Sequence, residues 1–596
     1  MRSNRIVPEP PVLRPEDEES TSVWGFSDTA FEMLDGDVVR LSGDRYELAG
    51  QELPDLLAWV RNQIHPDIAA DNRNPSRYPP PLPEARVNDA FVDDVRGFLA
   101  DDQLSDDAEV RLRRGHGQTQ EEMFSIKYDK VGRIPDLVVF PASDEEVERL
   151  VRSANAHDVS LIPSGGGTNV SNALHCPENE TRMIVVVDMS RMNRILWIDP
   201  DNHMACIQAG AVGRIMAEQL AEHGFTLGHE PDSIEFSTMG GWIATHASGM
   251  KKNRYGNIED LVLDVTVVTS TGTLSRPMVA PRESVGLGDV RRWIYGSEGG
   301  LGIITQAIVK IFPLPEAQEY GSVIFPNLAK GVDFLYELTR TSTPPASVRL
   351  VDNTQFQLSQ TLKPRSTGLK KLKSKLEKWF VIKVKGFDPN EMTALTLVFE
   401  GSKREVAAQQ RDVYRIAAKH QGMNGGASNG KRGYQLTYGI AYLRDWILNH
   451  WLLAESFETS AAWTDALAVC NNVKKRLAEE HKKRKLPGKP FMSCRVTQVY
   501  PTGVCIYFYF AYYFKGVDNP SEVFSEIEHA ARDEVLKSGG SLSHHHGIGK
   551  IRRDFLPRVL SQGALDWQQQ IKKAVDPANV FGAGNQAFDT AEGDDR

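Results

Sequence analysis

The sequence predicts a mixed fold, α/β in the broad sense and α+β in the stricter one. Three observations carry this. A strand-helix-strand pattern runs from Asp136 to Pro163. Glycine- and hydroxyl-rich segments then alternate with short apolar runs as far as Pro313. From about Ala317 the composition shifts to longer helical stretches of mixed charge, which marks a second domain.

Residues 1–20 are rich in Pro, Glu and Arg, a composition that favours disorder. Residues 21–130 read as a helical accessory region with Trp24, Phe26 and Trp59, and Asn72 to Arg86, with five prolines, reads as an irregular crossing. Asp136 to Pro141 reads as a buried strand. Ser143 and Glu146 have capping-box spacing. Val147, Leu150, Val151 and Ala154 follow at helical intervals. Val159 to Pro163 is a second strand, and it delivers the chain to Ser164-Gly165-Gly166-Gly167-Thr168-Asn169. Further strands are expected at Met183–Asp188, Ala205–Ala209 and Leu261–Ser270. Residues 583–596 form an acidic tail expected to fray.

The chain has 596 residues, or about four units at roughly 150 residues each. A hydrophobic share of 41% suffices for large cores. A net charge of -10 argues against a nucleic-acid partner. It also requires any site for an anion to gather its own cations. Five scattered cysteines without a CxxC pair fit a reducing compartment better than a disulfide or zinc scaffold. No apolar run reaches the roughly 18 residues of a membrane span. The N-terminus lacks a secretory pattern, Arg5-Ile6 and Val12-Leu13 fall short of an N-terminal peroxisomal signal, and the C-terminus is not of the SKL type.

Three glycines after a strand can turn successive N–H groups toward an anion, although such a triplet alone reads more readily as a tight turn. The spacing is not that of a dinucleotide-binding Rossmann fingerprint. More pieces follow: Pro231 to Thr238, Thr245-His246-Ala247-Ser248, and Gly296 to Ile304. Small residues and hydroxyls at this density suit a long ligand held against backbone. A second constellation is Ser543-His544-His545-His546-Gly547. If it is extended, His544 and His546 share a face and His545 points away. Metal ligation would need further converging ligands. A polar turn is the plain reading, and a phosphate- and proton-handling site the functional one. In Val504 to Tyr513, Cys505, Tyr507, Tyr509 and Ala511 share one face of a strand. Leu369, Leu372, Leu376, Trp379 and Phe380 fall at helical spacing among seven lysines and arginines. Such a basic amphipathic helix suits a membrane interface or an ordinary solvated surface.

From about Gly132 to Pro313 the chain resembles the FAD-binding domain of vanillyl-alcohol-oxidase-type flavoproteins. The blocks Gly228 to Ser233, Gly249 to Asn253, Tyr255 to Leu261, Ser456 to Ala461 and Ser493 to Gln498 resemble the alkyldihydroxyacetonephosphate synthases, also called alkylglycerone-phosphate synthases. That likeness runs from roughly Trp24 to Phe581. It implies a two-part FAD-binding domain at 131–313 and an antiparallel-sheet substrate or cap domain at 314–535. It further implies a segment at 536–582 that returns the histidine cluster to the active site. The implied FAD contacts are Pro163, Ser164, Gly165, Gly166, Gly167, Thr168 and Asn169; Asp232, Ser233, Ile234, Glu235, Phe236, Ser237 and Thr238; Thr245, His246, Ala247 and Ser248; and Glu298, Gly299, Gly300, Leu301, Gly302, Ile303 and Ile304. Thr168-Asn169 stands where many members carry a flavin-linking histidine, so FAD is expected to be noncovalent.

The resemblance makes Tyr507 the proton-transferring tyrosine, with His544, His545 and His546 as catalytic partners and Arg444 and Arg349 as substrate-binding residues. The implied reaction exchanges the acyl group of acyl-dihydroxyacetone phosphate for a long-chain fatty alcohol, with the three-carbon unit held on flavin N5 and no net redox change. No metal is expected. The resemblance also implies a homodimer, a membrane surface, the acyltransferase that makes the acyl substrate as a partner, and the lumenal side of the peroxisomal membrane, or the cytoplasm if the source is prokaryotic. Two rival readings share the fold: an FAD-dependent D-2-hydroxyacid dehydrogenase and a catalytically silent membrane-associated protein.

Overall fold

The computed structural model describes residues 4–12, 14–276, 278–341, 344–363 and 379–588. The fold class is the one expected. β-Branched runs punctuated by glycine turns build a first domain in two parts. One part is a four-stranded sheet in the order Leu104–Ser105, Leu137–Val139, Ile184–Asp188, Ser160–Ser164, whose last three strands are parallel. Parallel strands need a crossover, and the helix Asp144–Ala156 supplies it between Leu137–Val139 and Ser160–Ser164, which flank Ile184–Asp188 on either side. Its buried stripe is Val147, Leu150, Val151 and Ala154, and Ser143 caps it by accepting the Glu146 N–H at 3.2 Å. The other part is an antiparallel five-stranded sheet in the order Gly272–Leu274, Val262–Thr269, Ile303–Lys310, Met204–Gln208, Ile195–Asp199.

The second domain is a seven-stranded antiparallel sheet in the order Met423–Asn424, Ala317–Phe325, Thr393–Gly401, Ser347–Val351, Phe491–Val499, Gly503–Tyr513, Leu452–Ala462. One face of Gly503–Tyr513 buries Val504, Ile506, Phe508, Phe510 and Tyr512 in the core beneath the helices Ala466–Lys483 and Pro520–Lys537. The opposite face carries Tyr507, Tyr509 and Ala511 into a cavity. Helix Ala427–Leu448 packs against this sheet and against the N-terminal unit.

Several expectations are corrected. Residues 4–12 and 14–20 are ordered against the first domain. Ile6 exchanges backbone hydrogen bonds with Ile198, and Asp17 pairs with Arg45 and Arg214. Composition missed this because the partners are remote in sequence. The 21–130 region is not only helical. It holds a three-stranded antiparallel sheet, Phe31–Leu34, Val38–Leu41 and Glu52–Leu53, turned at Gly36 and Asp37 with positive φ. Residues 583–588 do not fray. Asn585 donates to Ala173 O at 3.0 Å and Glu298 O at 2.8 Å, and Gln586 donates to Glu298 Oε2 at 2.7 Å. Most of the basic amphipathic segment, 364–378, lies outside the described residues, as do 589–596.

Phe508 is fully buried and stacks on Phe457 at 5.2 Å between ring centroids. Phe508→Ala is expected to destabilise this domain by about 3–5 kcal/mol, read as a lower urea midpoint. An unchanged midpoint would contradict the packing.

Candidate active site

The strand Ser160–Ser164 ends at the glycine triplet, and the reason for glycine is steric. A Cβ on Gly165 would collide with the Thr238 hydroxyl, and one on Gly166 with the Phe236 carbonyl oxygen. The triplet thus lies directly on the 236–238 segment. Both segments open onto a cavity of about 410 Å³. Pro163, Ser164, Gly165, Gly166, Gly167, Thr168 and Asn169 line it, with Asp232, Ser233, Glu235, Ser237, Thr238, Thr245, Ala247, Ser248, Glu298, Gly299, Gly302 and Ile304.

Six residues expected there point elsewhere. Ile234, Leu301 and Ile303 sit in the hydrophobic core. Phe236 packs on Trp24 and Phe26, with ring centroids at 5.1 and 4.6 Å. His246 ends its helix in the left-handed conformation, stacks on Tyr295 and faces Glu259 at 3.2 Å. Gly300 faces Phe588.

The second domain closes the cavity with Tyr507, His545, His546, Arg349 and Arg444. Tyr507 Oη lies 2.6 Å from His545 Nε2 and 2.9 Å from His546 Nε2. His544 turns away: its Nε2 is 2.6 Å from Tyr500 Oη, and its Nδ1 is 2.7 Å from His545 Nδ1. The expected alternation, with His544 and His546 on one face, therefore fails. The segment is bent rather than extended, because the buried Glu458 gathers it. Its carboxylate accepts the backbone N–H groups of His544, His545 (3.2 Å) and His546 (2.9 Å) and the Ser543 hydroxyl (2.7 Å). Glu458 pairs in register with Tyr507 on the adjacent strand, so one strand pair positions both halves of the cluster.

Arg495, the register partner of Tyr507 on its other side, lies over the Tyr507 ring at 4.9 Å and the Tyr509 ring at 5.2 Å. It reaches Asp232 at 3.0 Å, and Arg349 reaches the same carboxylate at 3.3 Å. Arg444 donates to both the backbone carbonyl and side-chain oxygen of Gln118, and its Nε is buried without a protein partner.

Burial dominates the titration of this site. It raises the Tyr507 hydroxyl well above the ordinary tyrosine range, with the Asp232 charge adding to it and Arg495 opposing. Burial lowers all three imidazoles, His544 to about 3, so they are neutral at neutral pH. It opposes the charge on Glu458, but the facing histidines and Arg552 hold that carboxyl well below the usual range. It likewise opposes the charge on Asp232, which Arg349 and Arg495 outweigh. Burial pushes Glu455, also on the cavity wall, up to about 7.

The lining changes character along Gly503–Tyr513. Tyr507 is flanked in register by Glu458 and Arg495, whereas Ala511 is flanked by Ala454 and Phe491. Four residues of strand span about 14 Å. Beyond Ala511 the wall is apolar, with Trp59, Ile64, Leu358, Leu443 and Ile447. One end of the cavity therefore suits a polar group and the other a hydrocarbon chain.

The glycine-lined end fits a dinucleotide cofactor. The hydroxyls of Ser164 and Ser297 line it, buried and without a protein partner, which leaves polar atoms for a ligand to satisfy. Among the described residues one group has metal-like proximity: Glu458, Cys505, His544 and His545. Its carboxylate and imidazole nitrogens are already engaged in the hydrogen bonds above. Arg495, Glu458, Tyr500, Glu455 and Gln118 were given no site role from the sequence, although Glu458 and Arg495 lie within the family-like blocks Ser456 to Ala461 and Ser493 to Gln498. Glu458 and Arg495 are next to Tyr507 only through strand register, which one segment read alone does not reveal.

The family profile described as an FAD binding domain matches residues 135–276, and that of the FAD linked oxidases, C-terminal domain, matches residues 314–585. The chain is 42% identical over 571 residues to an alkyldihydroxyacetonephosphate synthase of Caenorhabditis elegans, covering 94% of each chain. It is 34% identical to one of Dictyostelium discoideum, over 82% of this chain and 79% of the relative. A solved alkyldihydroxyacetonephosphate synthase structure superposes with a TM-score of 0.83 at 29% identity, covering 96% of this chain and 99% of the other.

Gly166→Ala is expected to yield folded protein with sharply reduced FAD per chain, measured by absorbance after gel filtration. Full occupancy would contradict the assignment of the loop. The histidines supply a pH test. In the unfolded chain each titrates at its ordinary 6.5. In the folded chain they stay neutral to lower pH, so unfolding takes up protons in acid. Their contribution is fully present above pH 6.5 and is lost as pH falls from there toward about 3 for His544. Each group steepens that loss by up to ~1.4 kcal/mol per pH unit. His544→Gln should flatten the fall in melting temperature between pH 7 and 4.

Proposed function

The chain belongs to the alkyldihydroxyacetonephosphate synthase family, and on that premise we propose that it exchanges the acyl group of acyl-dihydroxyacetone phosphate for a long-chain fatty alcohol without net redox change. FAD is its cofactor. The glycine loop 163–169 would hold it noncovalently, with Thr168 and Asn169 where a linking histidine would stand, and the cavity-lining residues of the 232–238, 245–248 and 298–304 segments named above would supply the remaining walls. When bound, FAD supplies the ring chemistry that divides the exchange into two displacements.

The chain's own residues have separable tasks. Tyr507 moves the proton at the reacting carbon. His545 and His546, held neutral by burial, are able to accept that proton. Arg495 over the Tyr507 ring favours the phenolate. Arg444 grips an anionic oxygen, with Arg349 and the histidines supporting. The apolar arm from Ala511 to Trp59 holds acyl and alkyl chains and keeps water from the reacting carbon.

The observation that carries this reading is the position of Tyr507 Oη between His545 Nε2 and His546 Nε2, on the wall where a glycine-lined cavity turns apolar. A membrane surface belongs to the same reading. Leu358 lines the apolar arm, and five residues further on the chain enters the lysine-rich run that ends at the exposed Trp379. No helix among the described residues is long and apolar enough to cross a bilayer. A homodimer, a lumenal peroxisomal setting and a neighbouring acyltransferase complete the reading and rest on family likeness alone.

Purified protein given acyl-dihydroxyacetone phosphate and labelled hexadecanol under anaerobic conditions should form labelled ether without an electron acceptor. Tyr507→Phe should keep its FAD and lose about 10²–10⁴-fold in kcat. Absence of ether from the unaltered protein, or full activity in the variant, would reject the assignment.

A further inference from the structure

The proposed exchange creates a proton that must leave a buried site. The bond from carbon to the ester oxygen breaks, and the acid departs as carboxylate with the bonding pair. The bond from carbon to the alcohol oxygen forms. The product acid ionises near pH 4, so at neutral pH the hydroxyl proton of the alcohol is surplus, one per turnover.

Two imidazoles touch Tyr507, and they differ in what lies behind them. His546 Nδ1 is buried without a hydrogen-bond partner among the described residues. Behind His545 the contacts continue: His545 Nδ1 to His544 Nδ1 at 2.7 Å, then His544 Nε2 to Tyr500 Oη at 2.6 Å. Tyr500 is half-buried, and its hydroxyl accepts from Asn257 Nδ2 at 3.2 Å. Asn257 also donates to Glu259, whose side chain is 37% exposed and faces the exposed His246. Asn257 Nδ2 donates in both of its contacts and cannot accept a proton, so the contacts that can relay one run from the reacting tyrosine to half-buried Tyr500, whose hydroxyl proton passes to solvent water. One proton per ring suffices for their polarity: Tyr507 donates to His545 Nε2, His545 Nδ1–H to His544 Nδ1, and His544 Nε2–H to Tyr500.

We propose that Tyr500 is the outward terminus of a proton wire, Tyr507–His545–His544–Tyr500, through which the surplus proton leaves the site. The wire rests on the synthase reading above. Tyr500 touches no reacting atom, so it is a positioning residue that acts through His544. The charged groups around it are few. Lys252 Nζ sits over the Tyr500 ring at 3.7 Å. Lys252 and Glu259 face His544; Asp232, Arg495 and Arg552 face His545; and Glu458 faces both. Lys252 repels a proton resting on His544, and Glu259 attracts it outward.

The test uses the full-length, FAD-loaded protein with labelled hexadecanol. Tyr500→Phe keeps the ring and removes the hydroxyl. We expect FAD content and KM for the acyl substrate to hold, kcat to fall about 10- to 100-fold, the solvent deuterium isotope effect on kcat to rise, and added imidazole to restore turnover. His544→Gln, which breaks the link to His545, should show the same isotope effect and imidazole response. A purely structural defect would not be rescued by a small proton carrier. Tyr500→Phe with unaltered kcat and isotope effect overturns the proposal, as does a loss in both variants that imidazole does not recover. If the unaltered protein makes no ether, the synthase reading itself fails. Turnover by the unaltered protein with either overturning result rejects the wire alone.

Discussion

The site depends on one buried carboxylate. Glu458 stands almost fully buried in the strand Leu452–Ala462 and accepts from successive backbone N–H groups of the histidine segment. A buried carboxylate is costly unless its oxygens are satisfied. Here they are satisfied by the backbone of the groups that must be positioned. The bend that results turns two neighbouring imidazoles toward one hydroxyl, which an extended strand cannot do. Because the same strand pairs with Gly503–Tyr513, the carboxylate and the tyrosine are held at fixed register by the sheet ladder.

That register also explains how one cavity serves two chemistries. Side chains two residues apart share a face, so Tyr507, Tyr509 and Ala511 form a graded wall. The flanking strands change with it, from Glu458 and Arg495 to Ala454 and Phe491. The N-terminal unit then adds Trp59 and Ile64, and the helix Ala427–Leu448 adds Leu443 and Ile447. Polar and apolar ends arise from position along one strand.

Local patterns in the sequence were informative where the structure is local. The helix Asp144–Ala156, with its cap at Ser143, and the strands around it follow from periodicity. That Tyr507, Tyr509 and Ala511 share a face of Gly503–Tyr513 follows from alternation, whereas that this face meets a site and not the core followed only from the family likeness of Tyr507. What failed depended on distant partners. The orientation of His544, His545 and His546 is set by a carboxylate nearly ninety positions earlier, with |i−j| of 86 for the contact to His544. The docking of Asn585 depends on Glu298, with |i−j| of 287. The hairpin at Gly36 was legible, since an Asp-Gly turn between apolar runs is a known signature, but the accessory region was read as helical.

Charge follows the same logic. The chain is acidic overall, with a net charge of -10, yet Arg349 and Arg444 line one cavity and Arg495 lies over the ring of its Tyr507. A buried guanidinium needs a partner, and Asp232 serves two of them. The pairing keeps both arginines aligned without filling their donors, for Arg495 Nε has no protein acceptor. Arg444, also with an unsatisfied Nε, is held instead by the neutral oxygens of Gln118. A carbonyl oxygen holds the geometry of a guanidinium without cancelling its charge. Of these cations, Arg444 is the one whose protein hydrogen bonds go only to neutral oxygens, and its charge acts instead on Glu455 across the same cavity wall.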